Sequence, residues 1–226
     1  MLTIGHKDGS IEKIPSSSIT QITKGYKTHT VIGGEFAVVH DSENIALKTL
    51  LGSCVAIMFY DRVQKIKGMN HFLLPNTSNN NDDMKYGLYS VEAMLNEMYK
   101  MGCKKENMAA KISGGADIVN VSLSSKSIGQ RNVEFALDFC YSENFQILSN
   151  HTRGTQGRVI LLTNNFETFI KNMQNDTTTS TVARTEQTLQ NELSTRKPAI
   201  AEYVSGTGIF DLDEKPSQQT MEIELF

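Results

Sequence analysis

Cysteine is scarce in this chain. There are three among 226 residues, Cys54, Cys103 and Cys140, odd in number and without CxxC spacing. A disulfide framework and a structural zinc site are therefore excluded as the basis of the fold. Positive charge is not in surplus either: the formal net charge is -3 and the lysines and arginines are scattered. That argues against a nucleic-acid surface, and pairs such as Lys104-Lys105 read as solvated surface. No apolar run approaches the ~18 residues of a membrane span, and Met1 to Asp8 lacks the apolar core of a signal peptide. The expectation is a protein of a reducing cytoplasm, with no direct membrane insertion. Nor does Gly114-Gly115 sit in a P-loop or dinucleotide-binding pattern, so no metal and no organic cofactor are expected.

The length suits one sizeable domain with an appendage, or two small domains. Residues 1–26 are polar and mixed and read as an N-terminal extension. Residues 27–174 carry the apolar periodicity of a single domain. Residues 175–226, opening on the tract Asp176 to Thr181, read as a polar, flexible or partner-ordered tail with one short helix around Arg184 to Leu193. Within that tail, Ala183-Arg184-Thr185-Glu186-Gln187 pairs small residues with Glu and Gln, a pattern read here as coincidence.

Inside the domain, strands are expected at Glu35–His40, Leu47–Leu51, Val55–Tyr60, Lys65–Leu74, Met108–Ile112, Phe145–Leu148 and Val159–Leu162. The last two flank a turn at Arg153–Gly157. Leu88, Val91, Leu95 and Met98 mark the core stripe of a helix opening near Asp82 or Asp83 and stopping at Gly102. A second helix is expected over 127–142, with Ile128, Phe135, Ala136 and Phe139 inward. Strands outnumber helices, which points to an α/β (α+β) fold: a mixed or antiparallel sheet with helices on one face.

The chemistry lies in Thr49-Leu50-Leu51-Gly52-Ser53-Cys54-Val55-Ala56, followed by Gly68-Met69-Asn70-His71-Phe72-Leu73-Leu74-Pro75. A free cysteine is usually a small buried hydrophobe, and Cys103 and Cys140 are read that way. Cys54 differs, because it follows a tight Gly52-Ser53 turn and stands at the mouth of an apolar strand. If Tyr60 pairs with Lys65 across a four-residue turn, the ladder carries Cys54 opposite His71, where Cβ atoms lie about 4.5–5.5 Å apart. A neighbouring imidazole lowers a thiol's pKa and makes it a nucleophile. His6, in the polar extension, and His29, just beyond it, carry no argument.

These two segments resemble the signature of the chemoreceptor glutamine deamidase family, CheD. Tyr86, Gly114-Gly115-Ala116, Ile128 to Asn132 and Gly157-Arg158 follow in the family's order, so the resemblance spans residues 27–170. It implies a three-layer α/β/β sandwich and hydrolysis of receptor glutamines to glutamate with release of ammonia. It implies Cys54 as nucleophile and His71 as base. The third residue implied is Thr49, with Lys48 the competing alignment. Gly52 and Ser53 would supply backbone N–H groups to the oxyanion. Implied partners are the cytoplasmic helices of methyl-accepting chemotaxis receptors and, as in some members, a CheC-type phosphatase. The loop His151–Arg158 departs from the family's Asp-and-glycine turn. Two rivals stand beside this reading: an adaptor for that phosphatase or a receptor with little catalysis, and a transglutaminase-like acyl transferase.

Overall fold

Strand-forming runs near the middle of the chain are apolar on both faces, and the computed structural model shows why. It describes residues 1–74, 80–118, 126–173 and 184–192. The twelve strands of the described residues are β1 (Leu2–Gly5), β2 (Ile11–Ile14), β3 (Ile22–Thr23), β4 (Tyr26–Thr30), β5 (Phe36–His40), β6 (Ile45–Leu51), β7 (Val55–Asp61), β8 (Ile66–Asn70), β9 (Met108–Gly114), β10 (Gln146–Thr152), β11 (Arg158–Leu162) and β12 (Thr168–Asn172). The helices are α1 (Asn80–Lys100), α2 (Ile128–Ser142) and α3 (184–192).

Seven strands form one sheet in the order β10-β9-β7-β8-β5-β1-β2, and five form a second in the order β12-β11-β6-β4-β3. β7 is buried along its whole length, as befits a strand covered on both faces. Its odd-numbered residues Val55, Ile57 and Phe59 pack with Val91, Met94 and Met98 of α1 and Val133, Ala136 and Phe139 of α2. Its even-numbered side, with Cys54, Ala56, Met58 and Tyr60, packs with Ile45, Leu47, Leu51, Ile160 and Leu162 of the second sheet. Helices, large sheet and small sheet thus make the expected α/β/β sandwich.

Some expectations required correction. The N-terminal segment is no polar extension. Leu2–Gly5 is a buried strand hydrogen-bonded to β5, and Tyr26–Thr30 runs parallel to β6. Four-residue strands offer too few apolar positions to stand out from a polar sequence. The segments at Phe145 and Val159 do not pair with one another: β10 lies parallel to β9 in the large sheet and β11 joins β6 in the small one. The turn between them therefore passes the chain from one layer to the other. Helix α1 is already formed at Asn80, so Asp82 and Asp83 lie within it rather than capping it. The tract Asp176 to Thr181 and residues 193–226 lie outside the described residues.

The hairpin register also differs. Asp61, not Tyr60, closes the ladder, opposite Ile66. Its carboxylate accepts the N–H groups of Val63 and Gln64, both at 2.8 Å, an arrangement by which aspartate organises its own turn. Lys65 closes the turn at φ 56°. The ladder continues through a bridge between Val55 and Phe72. Cys54 and His71 are consequently diagonal rather than directly opposed. A shift of two residues preserves the face, whereas a shift of one would reverse it.

Candidate active site

β6 belongs to the small sheet and β7 to the large one, so Gly52, Ser53 and Cys54 carry the chain across the mouth of the sandwich. Their carbonyl oxygens are all held from one side. Gly52 accepts from the Ala116 N–H at 2.7 Å, Cys54 accepts from the Gly115 N–H at 2.7 Å, and Ser53 accepts from Asn132 Nδ2 at 2.8 Å. The other end of the Asn132 amide accepts the Leu74 N–H at 2.8 Å, which ties the cysteine turn to the segment just past His71. Gly114 makes a close-approach turn against this backbone. A Cβ there would lie 2.2 Å from the Cys54 carbonyl oxygen, and its φ of +115° disfavours any side chain.

With the carbonyls turned one way, the amides of the turn face the other, as in an anion-binding nest. They converge on a single carboxylate, that of Glu186. The Gly52 and Cys54 N–H groups donate to Oε1 at 2.9 and 3.1 Å. The Ser53 N–H and hydroxyl donate to Oε2 at 2.9 and 2.6 Å.

His71 is set by both its backbone and its ring. Its N–H donates to the Glu35 carbonyl at 2.9 Å and its own carbonyl accepts from the Gly34 N–H at 2.8 Å. Its Nδ1 lies 2.8 Å from the Thr49 hydroxyl oxygen and 3.5 Å from the Val31 carbonyl. Thr49 has one hydroxyl proton, which it donates to the Val31 carbonyl at 2.8 Å. Nδ1 therefore carries a proton and donates to Thr49, which leaves the lone pair on Nε2. That Nε2 is buried and has no hydrogen-bond partner.

Cys54 is 0% exposed and His71 7%. Burial pushes the Cys54 thiol well above its ordinary range, and the Glu186 charge and hydrogen bond push it further the same way. Burial also lowers His71, against the opposing pull of Glu186. Beside the Glu186 carboxylate, burial thus shifts both thiol and imidazole toward their uncharged forms. Cys103 and Cys140 are likewise buried, in the helix-facing core, and burial pushes both up to about 12.

Of the five residues singled out in the sequence, Thr49 and His71 are in contact, and Gly52, Ser53 and Cys54 share the Glu186 carboxylate, whose charge also reaches His71. Lys48 precedes Thr49 on the opposite face of β6, and it is Thr49 that contacts His71. Asn132 and Glu186 were missed. Asn132 left a readable sign, a polar residue on the same helical face as Ile128, Phe135, Ala136 and Phe139. Glu186 left only the pairing dismissed as coincidence. Among the described residues no group of three His, Cys, Asp or Glu side chains is placed to hold a metal ion, and no helix is long and apolar enough to cross a membrane.

Residues 73–172 match the family model for CheD chemotactic sensory transduction. The chain is 34% identical over 196 residues to a probable chemoreceptor glutamine deamidase CheD 2 of Dechloromonas aromatica, covering 84% of this chain and 95% of that one. It is 38% identical over 132 residues to the probable chemoreceptor glutamine deamidase CheD of Agrobacterium fabrum, covering 58% and 71%. The corresponding Cupriavidus metallidurans protein is 32% identical over 167 residues, covering 71% and 76%. Among solved structures, the C-terminal domain of CNFy from Yersinia pseudotuberculosis aligns over 66% of this chain and 57% of that one. The TM-score is 0.34 at 9% identity, too distant to carry weight.

Proposed function

The chain belongs to the CheD chemotactic sensory transduction family, and on that premise we propose that it hydrolyses glutamine side chains of chemoreceptors to glutamate through a thioester on Cys54. The observation that carries this reading is the convergence of three backbone amides and the Ser53 hydroxyl on one carboxylate beside Cys54. Donors so placed are suited to an oxyanion.

In the proposed sequence His71 Nε2 takes the Cys54 proton and the sulfur attacks the carboxamide carbon. The carbonyl oxygen becomes an oxyanion between the Gly52 and Cys54 N–H groups. Collapse breaks the C–N bond as the imidazolium donates its proton to the departing nitrogen, giving ammonia and the thioester. His71 then deprotonates water, which attacks the thioester carbon and releases glutamate and the thiol. Thr49 positions the imidazole by holding the Nδ1 proton, the part a carboxylate or amide plays in other hydrolytic triads. The proposed reaction runs in the cytoplasm, on the cytoplasmic helices of the receptors.

The test is to incubate the full chain with a purified receptor cytoplasmic domain and follow ammonia together with the mass change of NH2 to OH at individual glutamines. Turnover is expected from the wild type and none from Cys54→Ala. Equal turnover by Cys54→Ala would refute the thioester route, and incorporation of an added amine in place of hydrolysis would reassign the enzyme as an acyl transferase.

A further inference from the structure

The reaction proposed above turns a carboxamide into a carboxylate, and a carboxylate of this same chain already occupies the place where that product would form. Glu186 stands on α3, more than 130 positions along the chain from the turn that binds it. One face of that helix is buried, through Glu186, Leu189 and Gln190, the i, i+3, i+4 pattern of a helix laid against a surface. Leu189 belongs to the apolar cluster between the sheets, and its Cδ2 lies 2.4 Å from where a Cβ at Gly33 would stand. His71 Nε2 is 3.8 Å from that same point. A further ion pair joins Glu192 to Lys7 of the large sheet's end.

Resting on the deamidase reading, we propose that α3 is a built-in product mimic: Glu186 closes the active site in cis as the glutamate that the enzyme makes would. Both carboxylate oxygens have two donors each, so the bed fits a carboxylate better than a carboxamide, whose NH2 would face the Ser53 N–H. Glu186 covers the thiol, and its charge opposes formation of the thiolate. Receptor must displace α3 to reach Cys54, so that turnover depends on competition between an outside helix and the chain's own.

The same geometry makes α3 a latent substrate. With Glu186→Gln, a carboxamide is delivered to Cys54 in cis. The sulfur forms a bond to the side-chain carbon, the C–N bond breaks with loss of ammonia, and water cleaves the thioester. Thiol and carboxylate are regenerated, so the event occurs once and restores the original residue.

The experiment uses the full chain as wild type, Glu186→Gln and Glu186→Ala, each with and without Cys54→Ala. Peptide mass spectrometry reads position 186 and the rate of Cys54 alkylation by iodoacetamide, and receptor deamidation is measured in parallel. The introduced carboxamide is expected to convert to carboxylate at a rate independent of protein concentration, and to persist when Cys54→Ala is present. Glu186→Ala is expected to alkylate and to deamidate receptor at least roughly tenfold faster, the factor equivalent to one lost charge-assisted hydrogen bond. Alkylation at the wild-type rate in Glu186→Ala overturns the proposal. So does a carboxamide that persists in a protein still active on receptor, or loss of receptor turnover in Glu186→Ala. If no variant deamidates receptor or itself while Glu186→Ala opens the thiol, the deamidase reading fails and the product assignment falls with it.

Discussion

Replacing Thr49 with valine keeps the volume of the side chain and removes its hydroxyl, which isolates what the hydroxyl does for His71. Two hydrogen bonds disappear, one to the Val31 carbonyl and one from His71 Nδ1, both at 2.8 Å. The two groups left behind are an acceptor and a donor that already face one another at 3.5 Å. They can pair by closing about 0.5 Å toward the usual separation, so the net loss is near one hydrogen bond, about 1 kcal/mol. A domain stable by the usual ~5–15 kcal/mol remains folded. Catalysis is hit harder, because the ring must move by that distance and carry Nε2 with it, and displacements on the order of 1 Å cost about 100-fold in well-aligned sites. We expect Thr49→Val to lower kcat by ~10- to 100-fold with little change in KM, since the turn amides that bind substrate are untouched. Thr49→Ser should restore most of the loss. The assay is ammonia release from a receptor cytoplasmic domain, alongside thermal unfolding. A kcat within about twofold of wild type in a folded Thr49→Val protein would refute the positioning role.

Gly114→Ala places a Cβ 2.2 Å from the Cys54 carbonyl oxygen in a backbone conformation at φ +115°. It should destabilise the protein by roughly 2 kcal/mol or more and depress turnover by rotating the Cys54 peptide, as read by urea unfolding and kinetics. Unaltered values for both would show that the turn is not a rigid template. His29, on β4, has an Nε2 shielded from solvent and without a partner, and burial lowers its pKa from 6.5. Between the depressed folded value and the unfolded one the unfolded chain binds more protons, so this group's contribution to stability is full above pH ~6.5 and is lost as pH falls. His29→Gln should therefore lose less stability than wild type between pH ~7 and ~5 in paired urea titrations, and a larger loss would reverse the assigned sign.

Much of the sandwich was readable before any coordinates, and the reasons are local. β7 announces itself because a strand covered on both faces reads as a near-continuous apolar run, here Val55 to Tyr60. α1 does so because Val91, Leu95 and Met98 recur with the helical period and Gly102 ends it at φ +92°. The Gly52-Ser53-Cys54 turn is legible for a similar reason: a glycine and a serine interrupt two apolar strands at the point where the chain crosses between the sheets. The short N-terminal strands were not readable. A strand of four residues such as β1 gains its place from the partner edge offered by β5, not from its own propensity.

The sequence by itself determined that Cys54 and His71 share a face, because side chains alternate with period two and the hairpin is short enough for parity to survive an error of two residues in register. Only the tertiary structure decided what surrounds them. Thr49 reaches His71 because two sheets stack, and Asn132 braces the turn because α2 lies against the large sheet. Glu186 fills the anion nest because a helix from the far end of the chain folds back over it. Such contacts depend on where separate elements are brought in space, and neither periodicity nor turn chemistry carries that information along the chain.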